Sequence, residues 1–287
     1  MPIAKILVPV CGHASDAAAI ATAFAAAKPF GAHVALLSVH EDPALAVPLV
    51  GVPLAAETIE AIMDGQTRAA NAAADRSRGT MIALCESLDV ANVAAPRFGE
   101  GASCSFVQDW GDVAVTIGNR AALSDLVVLG PIGWDNHPAF NTAFLDVLRD
   151  VRRPLLVAHG KPEGAFRRIA IGWDGGASAA NAVQAAMDLL CAGERATIIA
   201  IAPRGQAAAP TRGLEDYLTR QGVAFDVVRR DCARGGAAEA LIGEARAQGA
   251  DLLVAGAYGH DHLSEALLGG ATETLAAAAS MPVLLAH

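Results

Sequence analysis

The sequence is poor in aromatic residues, in charged residues and in paired cysteines, and each shortage argues against a class of protein. Aromatic residues make up 5% of the 287 residues and charged residues 18%, with a net charge of −9. We therefore expect no broad basic surface of the kind that nucleic acids or anionic membranes require. The five cysteines form no C-x-x-C pair, which favours reduced, mostly buried thiols over a disulfide framework or a zinc site.

Long hydrophobic segments are missing as well. The longest apolar stretch near the start, residues 17–27, is rich in alanine, contains Thr22 and follows a strand pattern instead of a basic leader. These features are not those of a signal peptide or a membrane span. We expect a soluble cytoplasmic protein, long enough for two domains of about 100–200 residues each.

An internal repeat divides the chain into two halves. Lys5–Val10 matches Arg168–Trp173, and Arg153–His159 matches Met281–His287 at the end of the second half. Self-similarity of this kind indicates duplicated structural units. The predicted domains are residues 1–159 and 166–287.

Each half alternates short apolar runs with alanine-rich helical patterns, which predicts parallel strands joined by crossover helices. Such crossovers are right-handed, so we expect an α/β fold of two tandem, doubly wound, five-stranded parallel sheets with helices on both faces. Ser15 and Ser178 stand where helix N-caps are expected. A long helix over about 53–88 is expected in the first half alone. The predicted strands are 4–10, 33–40, 102–107, 125–129 and 154–158, then 168–173, 196–202, 223–228, 251–255 and 282–286.

A spaced set of glycines follows the fourth predicted strand of the second half. Gly256 and Gly259 are followed, after nine residues, by Gly269 and Gly270. At the carboxyl end of a parallel strand, the next helix directs its free N–H groups into a crevice, and this arrangement suits phosphate. The alternative is that these glycines serve turns and helix packing without any ligand.

This glycine spacing and the repeat resemble the universal stress protein family, in a tandem form with two domains in one chain. The family pattern runs from Gly256 through Gly270 to a final Pro282–Leu285 strand, and Gly270 replaces the more common Ser or Thr. The resemblance implies a Rossmann-like fold of the adenine nucleotide alpha hydrolase type. It also implies ATP or another adenine nucleotide as ligand, with or without Mg²⁺.

The resemblance also implies a set of contact residues. It puts Asp174 near the adenosine end of the nucleotide, Gly172 beside the base and Ile201 against the adenine. Independently of the family, a carboxylate at a strand tip can accept hydrogen bonds from a ribose, although an Asp before two glycines can also simply form a turn. The expected nucleotide-binding residues are Gly172, Asp174, Ile201, Ala255, Gly256, Gly259, Gly269, Gly270 and Ala271.

The first half departs from this pattern. Cys11 replaces the Asp, and Pro131 interrupts the first glycine pair. Ala143 and Phe144 align with the last glycine pair, where a phenyl ring would fill the phosphate space. We therefore expect nucleotide binding in the second half only.

Other functions find less support in the sequence. His260-Asp-His262 and Cys11-Gly-His13 contain metal-binding residue types, but neither has the second cluster that a four-ligand site needs. There is no P-loop, no G-x-G-x-x-G run and no pattern that indicates a catalytic triad. The expected function is a nucleotide-binding sensor of the stress-response type that acts on an unknown protein partner. The alternatives are a ligand-free interaction protein and, ranked last, a slow ATP hydrolase.

The repeat also predicts an assembly within the chain. Pro154–Ala158 and Pro282–Ala286 are expected to be edge strands, whose open ladders need a partner. The family resemblance implies that they pair with each other across a pseudo-twofold axis. The apolar segment Val47–Leu54 is a candidate for a contact between two chains in a homodimer.

Overall fold

The computed structural model describes residues 2–47, 55–95, 100–131, 138–160, 162, 164–257 and 270–287. Within these residues the chain forms one continuous sheet of eleven strands. The strands are β1 (Lys5–Val10), β2 (His33–His40), β3 (Ala91–Asn92), β4 (Ser103–Trp110), β5 (Leu126–Leu129), β6 (Leu155–Val157), β7 (Arg168–Gly172), β8 (Arg195–Pro203), β9 (Phe225–Cys232), β10 (Leu252–Gly256) and β11 (Val283–Ala286). The α-helices are α1 (Asp16–Ala27), α2 (Ala56–Leu88), α3 (Val113–Ala121), α4 (Pro138–Arg149), α5 (Ala177–Ala185), α6 (Met187–Ala192), α7 (Arg212–Arg220), α8 (Ala237–Ala247) and α9 (Gly270–Ala278).

The sheet has the order β3-β4-β2-β1-β5-β6-β11-β10-β7-β8-β9. Each half repeats one doubly wound arrangement, in which the first strand is central and the chain crosses over it after the third strand of the repeat. The ten predicted strands are all present, which confirms the parallel α/β prediction. The short β3 was not predicted. The edge strand β9 continues beyond the predicted end at 228 through Arg229 and Arg230, since an exposed edge does not require apolar side chains there.

The two halves meet at β6 and β11, the one antiparallel pair in the described sheet. Leu156 lies opposite Leu284, and both side chains are fully buried. Equivalent positions in these two last strands are 128 residues apart, so this register puts a pseudo-twofold axis at the Leu156–Leu284 pair. The expected edge strands therefore satisfy each other's open ladders within one chain.

Two apolar layers cover the faces of the sheet. On one face, α1, α5 and the buried side of α2 pack on side chains of both halves, and Leu156 and Leu284 belong to this layer. On the other face, α3, α4, α8 and α9 do the same. Because each layer is continuous across the β6–β11 pair, we expect the described core to unfold as one unit.

The helix starts differ from those predicted. Ser15 precedes α1, but its side chain makes no capping bond. Ser178 lies inside the first turn of α5, which begins at Ala177. Ser15 is therefore at the predicted N-cap position without a side-chain cap, and the prediction for Ser178 is wrong, because the N-cap of α5 is Gly176. The carboxylate of Asp16 instead accepts the backbone N–H groups of the loop before α1.

In each half, a glycine lies at the end of the strand beside the central strand, β5 or β10. This glycine lets a helix pack closely against the strand end. A Cβ built on Gly256 would lie 2.5 Å from Ala179 N and 2.6 Å from Ser178 C. In the first half, a Cβ on Gly130 would lie 3.1 Å from Ser15 Cβ. Gly256 is therefore required for packing, because the neighbouring atoms are backbone, whereas a Cβ at position 130 would need only a small shift of Ser15.

We expect Gly256→Ala to lower the free energy of unfolding by about 1–3 kcal/mol, since α5 must move to make room for the methyl group. Urea denaturation followed by circular dichroism measures this change. Gly243→Ala is the matched control, because Gly243 lies in α8 with no atom within 4 Å of the added Cβ. It should raise stability by about 0.5–1 kcal/mol. Equal effects of the two substitutions would contradict the packing role of Gly256.

Leu156→Ala and Leu284→Ala should each cost about 2–5 kcal/mol, because each leaves a cavity in the shared core. The loss of unfolding free energy in the double variant should not equal the sum of the two single losses, because the two residues lie opposite each other in the strand pair. A double-mutant cycle by urea denaturation measures this coupling. Two separate transitions in the wild-type protein would contradict a shared core.

Candidate functional site

The second half has its topological switch point between β7 and β10. From β7 the chain passes to β8 on one side, and it returns after β9 to β10 on the other side. Helices leave β7 and β10 towards opposite faces of the sheet. In doubly wound sheets, the crevice that takes ligands lies between two such strand tips. Gly172 and Asp174 lie at the tip of β7, and Gly256 lies at the tip of β10. The structure therefore brings these three predicted residues to one edge of the sheet.

One side of this crevice is apolar. Gly172, Ile201 and Ala255 lie on the face covered by α8 and α9. Leu241 of α8 packs there too, and a Cβ on Gly172 would lie 2.6 Å from Leu241 Cδ2. Ile201 and Leu241 are both partly buried, so they leave apolar surface at the strand tips. Leu241 was not predicted as a site residue, because helical periodicity marks it as apolar without showing which strand tip it covers.

The loop after β7 is a tight turn. Asp174 is exposed, and its Oδ1 accepts a hydrogen bond from Gly176 N at 2.8 Å. Gly175 has a φ of +79°, in the left-handed region that favours glycine. The turn interpretation of Asp174 therefore holds in the structure, and the role at a ribose stays a prediction.

The loop after β8 closes against this turn. Trp173 Nε1 donates a hydrogen bond to Pro210 O at 3.0 Å. A Cβ on Gly175 would lie 3.4 Å from Ala209 Cβ. These contacts hold the loop after β7 in place beside the crevice.

The phosphate end of the predicted site is described only in part. Gly259 and Gly269 lie outside the described residues, as do Tyr258, His260 and His262. Gly270 is the first residue of α9, followed by Ala271. Since α9 connects two parallel neighbouring strands, it begins at the edge of the sheet where β10 ends, and its amino end lies on the side of the crevice.

In the first half, the loop that corresponds to the Asp174 turn makes its hydrogen bonds within the chain. The buried carboxylate of Asp16 accepts hydrogen bonds from Gly12 N at 2.8 Å, Cys11 N at 3.2 Å and Ser77 Oγ at 2.7 Å. These N–H groups are the ones that an anion at the start of α1 would use. Asp16 aligns with Ala179 in the second half, which has no carboxylate to offer.

Helix α2 covers this first crevice. Arg76 Nε donates to Gly12 O at 3.0 Å, and a Cβ on Gly12 would lie 2.7 Å from Ala73 O. Beneath the helix remains a cavity of about 230 Å³, lined in part by Cys11 and His40. Burial and the nearby Asp16 carboxylate raise the pKa of Cys11 to about 12, so its thiol is protonated at neutral pH.

Phe144 has a different role from the one predicted. It is fully buried in the core layer of α4 with Val147. At the 128-residue spacing of the paired strands, these two positions correspond to Thr272 and Leu275, which are buried in α9. Phe144 is therefore a core residue of its helix, and the sequence alignment that set it against Gly270 is two residues out of step.

Two further classes of site can be assessed for the described part of the chain. There, no group of three His, Cys, Asp or Glu side chains comes close enough together to hold a metal ion. No helix in the described ranges is long and apolar enough to cross a membrane.

Comparisons with known proteins agree with this architecture. Residues 165–287 match the sequence model of the universal stress protein family. A search of curated protein sequences finds no match. A universal stress protein from Archaeoglobus fulgidus has the same fold, with a TM-score of 0.65 and 15% identity over 98% of this chain and 97% of that chain.

Two other solved structures are similar. A protein described as functionally unknown, from Pseudomonas aeruginosa, has a TM-score of 0.57 and 17% identity, over 99% of this chain and 92% of that chain. A universal stress protein in complex with cAMP is 20% identical, with a TM-score of 0.34, over 43% of this chain and 99% of that chain. The carboxyl-terminal half of this chain therefore belongs to the universal stress protein family, and the chain as a whole has the fold of a universal stress protein of similar length.

Proposed function

We propose that the second half binds an adenine nucleotide in the crevice between β7 and β10. The observation that carries this proposal is the convergence of residues far apart in sequence, Gly172, Ile201 and Gly256, on the switch point of a doubly wound sheet. Ligands of such sheets bind at this position because two loops diverge there and leave space. The proposed ligand is ATP, ADP or AMP, with or without Mg²⁺.

The base would lie against Ile201 and Leu241. Their partly buried side chains present apolar surface at the strand tips, and adenine is a flat ring that can cover it. Asp174 is exposed beside this surface, at the tip of β7, and Gly176 N donates a hydrogen bond to its carboxylate. A ribose in the crevice would donate a hydrogen bond to this carboxylate.

The phosphates would lie towards the amino end of α9. Backbone N–H groups at a helix start are not used within the helix, and the helix dipole favours an anion there. The spacing of Gly256, Gly259, Gly269 and Gly270 leaves this backbone free of side chains. Each such interaction contributes about 0.3–1 kcal/mol at an exposed helix end, so affinity would be the sum of several contacts.

The first half would not bind a nucleotide. Asp16 already uses the N–H groups of Cys11 and Gly12, and α2 packs over the same loop. This loop is the counterpart of the Asp174 turn, so a nucleotide there would have to displace the buried Asp16 carboxylate from these N–H groups. One site per chain follows from this difference between the halves.

On this proposal the protein is a sensor whose occupancy is read by a protein partner. All five cysteines are free thiols, which suits the reducing cytoplasm. We propose binding without catalysis as the primary role, since the expected contacts are apolar surface, turn backbone and one carboxylate.

A ligand-free interaction role is the second candidate, and two observations favour it. Gly256 is required by packing against the backbone of Ala179, and Gly172 makes room for the side chain of Leu241. Asp174 has a turn-forming hydrogen bond with Gly176. These residues would therefore be retained in a domain that binds nothing.

Titration with ATP, ADP and AMP should give one binding site per chain. Isothermal titration calorimetry measures the stoichiometry, and native mass spectrometry of protein purified without added nucleotide detects ligand carried through purification. Two equivalent sites per chain would contradict the role assigned to Asp16. No binding of any of the three nucleotides would favour the ligand-free candidate.

Asp174→Ala should weaken nucleotide binding about tenfold or more, because a hydrogen bond to a charged group contributes about 1.5–3 kcal/mol. Asp174→Asn keeps an oxygen for the turn bond to Gly176 and removes the charge, so it separates the two roles of the residue. The Asn variant should retain the melting temperature of the wild type and still bind more weakly. Asp64→Asn, an exposed substitution on α2, is the control and should bind as wild type. Unchanged affinity in both Asp174 variants would remove this residue from the site.

A further inference from the structure

A pair of cysteines lies in the core of the first half, away from both crevice loops. Cys85 Sγ of α2 is 3.1 Å from Cys104 Sγ of β4. Cys104 is fully buried and Cys85 is 7% exposed. Both are free thiols. Two thiols in contact, one on a helix and one on a strand, can form a disulfide within the chain, which a single thiol cannot do.

We propose that Cys85 and Cys104 form a redox-active dithiol that hydrogen peroxide converts into a disulfide. A disulfide has a sulfur–sulfur bond of about 2.0 Å, so the two atoms need to approach by only about 1 Å. Cys85 lies in the last turn of α2, and the free energy of local unfolding is lowest at the end of a helix. The helix ends immediately afterwards at Asp89, which has a φ of +50°.

The two sulfurs have different parts in the reaction. Cys85 is the more accessible, so its sulfur attacks the peroxide: a sulfur–oxygen bond forms, the oxygen–oxygen bond breaks and one water leaves. Cys104 Sγ then attacks the resulting sulfenic sulfur, the sulfur–sulfur bond forms and a second water leaves. Each sulfur loses one electron, and the peroxide gains two.

The surroundings make this reaction slow and selective. Burial raises the pKa of both thiols, so little thiolate is present at neutral pH. The hydrogen bond from Cys104 opposes this rise at Cys85, which is consistent with Cys85 as the attacking sulfur. The pair should therefore remain reduced in ordinary conditions and respond to a sustained supply of oxidant.

The disulfide would fasten the end of α2 to the sheet. Cys104 is held in the ladder between Val34 of β2 and Asn92 of β3. The earlier part of α2 covers the first crevice through Ala73 and Arg76. Oxidation would thus fix the helix that covers this crevice, and would add a cross-link across 19 positions of the chain.

The test is treatment of the native full-length protein with hydrogen peroxide, followed by quenching, denaturation and alkylation. Five titratable thiols should fall to three, and dithiothreitol should restore all five. Trypsin cleaves after Arg97, between the two cysteines, so peptide mass spectrometry should find 79–97 linked to 98–120. The linked pair should weigh two hydrogens less than the sum of the two peptides.

Cysteine-to-serine variants show which sulfur reacts with the peroxide and which forms the disulfide. Cys104→Ser should give no linked peptides and should leave Cys85 as a sulfenic acid that dimedone traps. Cys191→Ser removes the exposed thiol of the second half and should still lose two thiols. Peptides 79–97 and 98–120 that remain fully alkylated after peroxide treatment, or a loss of thiol at Cys191 alone, would overturn the proposal. If Cys104→Ser does not fold, the peptide map of the wild type decides by itself.

Discussion

The pairing of two short strands, β6 and β11, holds this architecture together. Each would be the edge of its own half-sheet, with unpaired backbone groups and buried aliphatic side chains that require cover. Their antiparallel ladder joins two parallel half-sheets into one and makes both apolar layers continuous. Because the join is antiparallel, the strand tips of the two halves point to opposite edges of the sheet. The two crevices therefore lie far apart, each built by one repeat.

The same local plan is used differently in the two crevices. In both halves a glycine after the fourth strand of the repeat, Gly130 or Gly256, admits the first turn of the helix that follows the central strand. The two halves differ in the first turn of that helix, where the first half has Asp16 and the second has Ala179. The carboxylate accepts hydrogen bonds from the loop N–H groups of Cys11 and Gly12, and the second half has no carboxylate at this position. The proposal that only the second half binds a nucleotide depends in part on this one position.

Much of the fold could be predicted from the sequence because the strands are buried on both faces and appear as continuous apolar runs. The internal repeat predicted the same series of five strands along each half of the chain. The short β3 and the polar end of β9 have no such pattern, since edge positions are selected for exposure as much as for burial. The long helix α2 was expected, but a pattern along one helix does not show that it covers the loop at Gly12.

The site could be predicted less fully than the fold. Gly172, Asp174 and Gly256 were placed correctly at the strand tips, because the end of an apolar run is visible in the sequence. Their packing contacts could not be predicted: Gly172 makes room for Leu241, a contact between residues 69 positions apart. Asp16 was missed because a carboxylate in the first turn of a helix is ordinarily an exposed partner of the helix dipole. Only the packing of Ser77 against it reveals that it is buried.

The strand pairing at Leu156 and Leu284 does not depend on protein concentration. Two separate subunits with the same contact would dissociate as their concentration fell, since association depends on mass action. Here the partner strand is part of the same polypeptide, so its effective concentration is set by the length of the connecting chain and not by expression level. Two unlike halves consequently stay in a fixed one-to-one ratio, and either can change its crevice without losing its neighbour.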